Sequence, residues 1–280
     1  MNKKTGKILQ NERFLCSMFF SLFLIDWIAK FFQNTWLHNF VGMPFYYIGT
    51  DFSYWLLILS GIPQFLLSTY KLSLFFDIIL TVVTVWNIFA PRRVTNIIWI
   101  FLYSFWVMTT NAAIGSHFHS YNGFIIMGIC FCFYFTSFFV TAWEMVRFYI
   151  MYLFSSAALW KILRGIVFDK SHLKILLVQM DLWHAKNESW YSPIFKLYTT
   201  YLWISYTSMI LVIILQLSFL IGFVTKKYDK WLFLLFLFFC LANQIVFRHF
   251  FFELLILGMT LLFVPKRLEI EYGVSGEKAL

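Results

Sequence analysis

The sequence predicts an all-α integral membrane protein: a polytopic bundle of about eight transmembrane helices with one interfacial or re-entrant helix. Three observations predict it. Hydrophobic residues make up 61% of the 280 positions and charged residues 12%, leaving too few polar side chains to cover a water-exposed surface. The apolar residues fall into runs near the roughly 20 residues that a helix needs to cross a hydrocarbon core of about 30 Å. Lys and Arg gather in the short connections between those runs, where retention of positive charge on the cytoplasmic side accounts for them.

Apolar runs near residues 14–33, 74–90, 94–113, 122–142, 148–168, 197–223, 231–247 and 250–265 read as crossings. The basic start, residues 1–13, precedes an apolar run that is longer than a signal-peptide core and has no small-residue cleavage site, so that run is expected to stay as the first helix. Residues 54–70 are apolar but carry the helix-breaking Gly61-Ile62-Pro63. Counting them as a crossing would send Arg92 and Arg93 outside, so they read as the interfacial or re-entrant helix. Residues 231–265 read as two short crossings that turn at Arg248-His249, with one long tilted helix as the competing reading. Residues 1–265 form one membrane domain on this reading, and residues 266–280 a short cytoplasmic tail.

Eight crossings place Lys3, Lys4, Lys7, Arg92, Arg93, Arg147, Lys226, Lys227, Lys230, Lys266 and Arg267 in the cytoplasm, together with both termini. The chain is then a multi-pass protein of the cell membrane, with its polar and aromatic loops, residues 38–54, 113–121 and 169–196, on the external face. The net charge of +9 is explained by this topology and calls for no nucleic-acid partner. Cys16, Cys130, Cys132 and Cys240 all fall inside apolar spans, where they read as packing residues and signal neither disulfides nor a metal-thiolate site.

Ionisable residues within membrane spans are expensive and normally paired or functional. Asp26 and Lys30 are one turn apart, which suits an i,i+4 ion pair with Lys30 reaching toward the headgroups as well as a catalytic role. Asp77, near an interface, is expected to be hydrated. Lys161 follows Ser155-Ser156-Ala157-Ala158, small residues that allow close packing and would hold its amine inside the bundle as a base. The competing reading joins it to Arg164 and Lys170 in a basic interfacial collar. His117 and His119 flank Phe118 in an external turn and suit proton transfer, metal binding or simple hydration; with no third ligand nearby, no metal is predicted. His249 and Glu253, four residues apart, share a helical face. The sequence contains no Gly-rich phosphate loop, nucleophile elbow or His-Glu-x-x-His element.

Three stretches together resemble the membrane domain of vitamin K-dependent gamma-carboxylases and their bacterial relatives, the HTTM (horizontally transferred transmembrane) family. His119-Ser120-Tyr121 is similar to the family's helix-opening histidine motif. Ala157-Ala158-Leu159-Trp160-Lys161 is similar to its lysine helix, ahead of a segment containing Trp183 and Trp190. Arg248-His249, Glu253 and Gly258-Met259 resemble its late helix; counting back from Gly258-Met259 puts the family histidine on Arg248, one position before His249. The first helix, with acidic Asp26 in its second half, is similar to the family's opening.

The resemblance implies an enzyme with an external pocket. There Lys161 deprotonates a reduced quinone of the vitamin K or menaquinone type, and His119 orients the anionic partner. Oxygen then generates a strong base, and carbon dioxide traps the resulting carbanion on a glutamate side chain. His117, Tyr121, Asp26, Arg164, Arg248, His249 and Glu253 would line the pocket. The substrate would be a peptide or small molecule reached from the bilayer's outer face. The alternative is a non-enzymatic membrane component of a peptide maturation, export or immunity system, and a proton-coupled transporter comes third.

Overall fold

A computed structural model describes residues 8–45, 52–114, 122–247 and 251–265. They divide into two compact units, one built on Leu9–Trp143 and the other on Glu144–Phe263.

In the N-terminal unit, α1 (Glu12–Phe32) opens on Asn11, whose side chain accepts from the Arg13 N–H, with acidic Glu12 in the first turn. Its buried stripe of Leu15, Phe19, Phe23, Trp27 and Lys30 repeats every three or four residues. The 54–70 segment forms α2 (Phe52–Leu59) and α3 (Ile62–Leu66), separated by Gly61 in the left-handed region at φ 69°. At eight and five residues, neither reaches across a core of about 30 Å. α4 (Tyr70–Phe89) and α5 (Arg93–Ile114) follow, both of crossing length.

Aromatic edges and hydroxyls knit these helices together. Phe19, Phe20 and Phe23 meet the Trp99 ring edge-on at 4.7–5.5 Å, and Trp99, Tyr103 and Trp106 stack in series along α5. Ser17 donates to the Ile88 carbonyl at 2.7 Å, Trp27 to Thr81 at 2.9 Å and Trp99 to Thr84 at 3.0 Å. Lipid supplies no hydrophobic drive between helices, so such contacts carry the association.

The expected crossing at 122–142 is not one helix. α6 (Asn122–Phe131) stops after 10 residues, where the Asn96 amide donates to the Phe131 carbonyl at 2.9 Å. The chain then turns through Phe135 at φ 62°, whose N–H donates to the Glu12 carboxylate. α7 (Phe138–Leu163) restarts within the apolar run and carries the chain from the first unit into the second.

In the C-terminal unit, α7 ends at Leu163, five residues short of the expected 148–168 span, and Gly165 at φ 72° leads into a 3-10 turn over Ile166–Phe168. α8 (His172–Asn187) and α9 (Ser192–Thr200) lead to α10 (Leu202–Ser218); extended Tyr201 therefore divides the expected 197–223 crossing. α11 (Ile221–Val224) and α12 (Asp229–Phe247) follow. Helical turns over Phe252–Leu262, comprising α13 (Phe252–Leu255), a 3-10 turn and α14 (Met259–Leu262), reach only about half the core depth at about 1.5 Å per residue. The expected 250–265 crossing is thus not a spanning helix. Strand β2 (Phe263–Pro265), whose Val264 and Pro265 belong to the N-terminal unit, pairs with β1 (Ile8–Gln10) as a short ladder of that unit.

Among the described residues, five helical stretches are long and apolar enough to cross a membrane, against eight crossings expected: Glu12–Phe40, Tyr70–Phe89, Phe138–Leu163, Leu202–Val224 and Asp229–Phe247. Polarity runs opposite to that of a water-soluble protein. Asp77, Asn87, Asn96, Arg147 and Asp229 are buried, while Phe101 and Phe238 are 73% and 65% exposed. This all-α arrangement is compatible with a membrane protein.

Candidate functional site

Lys161 occupies the last turn of α7, after the small residues Ser155, Ser156, Ala157 and Ala158. Its half-buried amine turns inward and donates to Gln216 Oε1 on α10 at 2.9 Å, with the Ala157 carbonyl at 3.5 Å. Gln216 is buried and lies one turn beyond Ile213; Lys161 lies one turn beyond Ala158. Ala158, Ile213, Met209, Leu173 and Leu177 form one apolar cluster, so the amine and amide meet at its edge.

The partner's chemistry sets Lys161 apart. Buried Lys30 pairs with Asp26, and buried Arg147 makes a bidentate pair with Asp229, 2.7 Å in both arms. Among the described residues, Lys161 has neutral acceptors only. Arg164, which the competing reading joins to Lys161 in a basic collar, is exposed, with its guanidinium 4.5 Å from the Trp160 ring, while the Lys161 amine donates to Gln216. Glu253 is buried in α13 of the same unit. Sequence reasoning missed Gln216, and also Asn243 on α12, whose Nδ2 is buried without a hydrogen-bond partner among the described residues. Asn243 stands one turn before Val246 and Phe247, which pack on the same apolar cluster. A buried amide in an apolar span was the available signal for both.

Asp26 belongs to the N-terminal unit. It forms the expected pair with Lys30, but Lys30 is buried at 6.0 Å from the Trp106 ring rather than extended toward headgroups. Asp77 is not hydrated. It is fully buried and accepts from the Leu37 and His38 N–H groups, each at 3.1 Å, with His38 Nδ1 at 2.9 Å. That carboxylate pins the 3-10 turn Leu37–Phe40 to α4 and sets the orientation of the His38 ring. His117, His119, Tyr121, Arg248 and His249 lie outside the described residues.

Comparison with family models, with curated proteins and with solved structures returns no match. The family resemblance therefore rests on the sequence motifs alone. Fold and site together are compatible with one class, an all-α membrane protein that carries an inward-facing lysine on a neutral amide.

Proposed function

We propose that this chain is a multi-pass membrane enzyme in which Lys161 accepts a proton from a lipid-soluble weak acid on the extracytoplasmic side of the bilayer. The observation that supports it is the Gln216 partner at 2.9 Å. A carboxylate would hold the nitrogen as a paired ammonium ion with no lone pair to offer. An amide positions it without stabilising that charge, so the nitrogen is suited to take a proton from an acidic ligand.

The chemistry of the donor set fits a reduced quinone. Lys161 and Asn243 offer donors to oxygen atoms, and the cluster around Ile213 offers an apolar wall to a ring. Lys161 and Asn243 would hold that molecule, which when bound supplies, with oxygen, a base able to deprotonate an unactivated carbon. Lys161 takes the hydroxyl proton, Gln216 orients the amine, and the apolar side chains exclude water. On this proposal a peptide or small substrate enters from outside, and both termini of the chain lie in the cytoplasm.

The test is oxygen uptake by the full chain in nanodiscs with chemically reduced menaquinone. Wild type should exceed empty nanodiscs. Lys161→Arg and Lys161→Met should lose about 100-fold or more at unchanged membrane abundance, the scale of general acid–base catalysis. Gln216→Glu should also inactivate, by giving the amine a permanent counter-ion. Wild-type uptake no greater than that of empty discs, or full activity in Lys161→Arg, would overturn the proposal and leave a non-enzymatic membrane component.

A further inference from the structure

The C-terminal half of α4 carries an open apolar trough that the proposed chemistry does not use. Thr81, Val82, Val85, Trp86, Phe89 and Ala90 line its volume of about 380 Å³. These positions form two adjacent rows, 81-85-89 and 82-86-90, each at i, i+4, i+8, so the trough is the groove between two ridges of one helix. Val82, Trp86 and Phe89 are all more than half exposed. The opposite face of α4 buries Leu80, Thr84 and Asn87 in the unit's interior.

Length and charge both bear on what fills it. From Thr81 to Ala90 the helix rises about 14 Å at 1.5 Å per residue. That is about half of a 30 Å hydrocarbon core, the depth of one leaflet. One end of the trough is cationic. Exposed Arg13 donates from Nη2 to the Phe89 carbonyl at 3.1 Å, and exposed Arg92 and Arg93 follow two and three residues after Ala90. Glu12, beside Arg13 in the chain, turns inward and accepts from the Phe135 N–H at 3.3 Å.

We infer that this trough binds an anionic phospholipid, its phosphate on Arg13, Arg92 and Arg93 and one acyl chain along Val82, Val85 and Trp86. Lipid tails leave other lipid tails to enter the trough, so the hydrophobic effect selects nothing there. Selection comes from the headgroup, because guanidinium groups bind phosphate oxygens in bidentate geometry and keep their charge at every physiological pH. An apolar helix from a second copy would leave the arginine end without a counter-charge. The inference does not depend on the role of Lys161.

Native mass spectrometry of the full chain released from nanodiscs containing equal phosphatidylglycerol and phosphatidylcholine tests it. Wild type should retain phosphatidylglycerol over phosphatidylcholine by about fivefold or more, the effect of one basic residue near an anionic surface. Arg92→Gln with Arg93→Gln should bring the ratio toward one, whereas Arg92→Lys with Arg93→Lys should keep most of the preference. Val85→Trp, which fills the trough without changing charge, should lower retention of the anionic lipid. Equal retention of the two lipids by wild type overturns the inference, as does a ratio that neither the Gln pair nor Val85→Trp alters, or a lipid-free dimer. The wild-type comparison stands even if a variant fails to fold.

Discussion

Arg147 and Asp229 offer the sharpest test of how the C-terminal unit is held together. The guanidinium donates from Nε to Asp229 Oδ2 and from Nη2 to Oδ1, both at 2.7 Å, and Nη2 also reaches the carbonyls of Gly222 at 2.7 Å and Thr225 at 3.4 Å. Both side chains are buried, so Arg147→Leu strands a carboxylate together with two carbonyls. Removing one member of a buried pair costs about 3–5 kcal/mol, and the lost carbonyl contacts place this variant at the upper end. Asp229→Asn should cost less, about 2–3 kcal/mol, because the cation keeps its backbone acceptors and an amide oxygen can still accept. The double variant removes both charges and should fall at least about 2 kcal/mol short of the sum of the singles. The assay is denaturant unfolding of the two single variants and the double in detergent micelles. Additivity within about 0.5 kcal/mol would refute the reasoning, since uncoupled residues behave that way. Lys226 and Glu144 in the same unit provide the contrast. They approach to 2.8 Å on the partly exposed side in a geometry that falls short of a hydrogen bond, so Glu144→Gln should cost no more than about 1 kcal/mol.

Two further outcomes are expected. A Cβ on Gly128 would stand 2.7 Å from the Trp99 ring and 3.1 Å from Ile100 Cγ1; Trp99 is held by Thr84 and by three Phe edges, so Gly128→Ala should destabilise the N-terminal unit by about 1–3 kcal/mol in the same unfolding assay, and a neutral effect would show that the ring can move. Asp169, in the turn before α8, has its carboxyl held below the usual range first by the Ser171 hydroxyl at 2.7 Å and then by the Ser171 N–H at 2.9 Å. A depressed folded-state pKa means that this turn's stabilisation is present above the unfolded value of about 3.9 and is lost as pH falls through the lower folded value. Ser171→Ala should move the Asp169 titration upward, read by carboxyl carbon NMR, and an unchanged midpoint would remove the proposed cause.

The apolar runs located α1, α4, α5 and α12 to within a few residues, because a crossing helix must be continuously apolar and that property is local. The stop after Phe131 was not legible. Residues 132–137 contain neither Gly nor Pro, and the break is made by Asn96 and Glu12, both distant in the chain. The α7 stop did have a local signal, Gly165 following basic Arg164, which hydropathy outweighed. At the site, the inward placement of the Lys161 amine was legible from the small residues before it. Its partner was not, because Gln216 is 55 positions away and a lone amide in an apolar run names no counterpart. His38 and Asp77, 39 positions apart, were hidden for the same reason.

Two basic side chains of α7 meet partners of opposite kind. Arg147 and Lys161 lie about 21 Å apart along its axis, and both turn into the interior of the C-terminal unit. A charge placed there requires compensation, and the two solutions differ. Arg147 meets a carboxylate and two carbonyls, which take up its Nε and Nη2 donors and balance its charge. Lys161 meets an amide and a helix carbonyl, neutral groups that fix the position of its nitrogen without supplying a counter-charge. If Gln216 were an acid, the upper end of α7 would be a second latch like the one at Arg147. Because Gln216 is an amide, Lys161 has no carboxylate partner of its own among the described residues, as the proposed function requires, and the small residues Ser155 to Ala158 make sense as the means of holding α7 close enough to α10 for the contact to form.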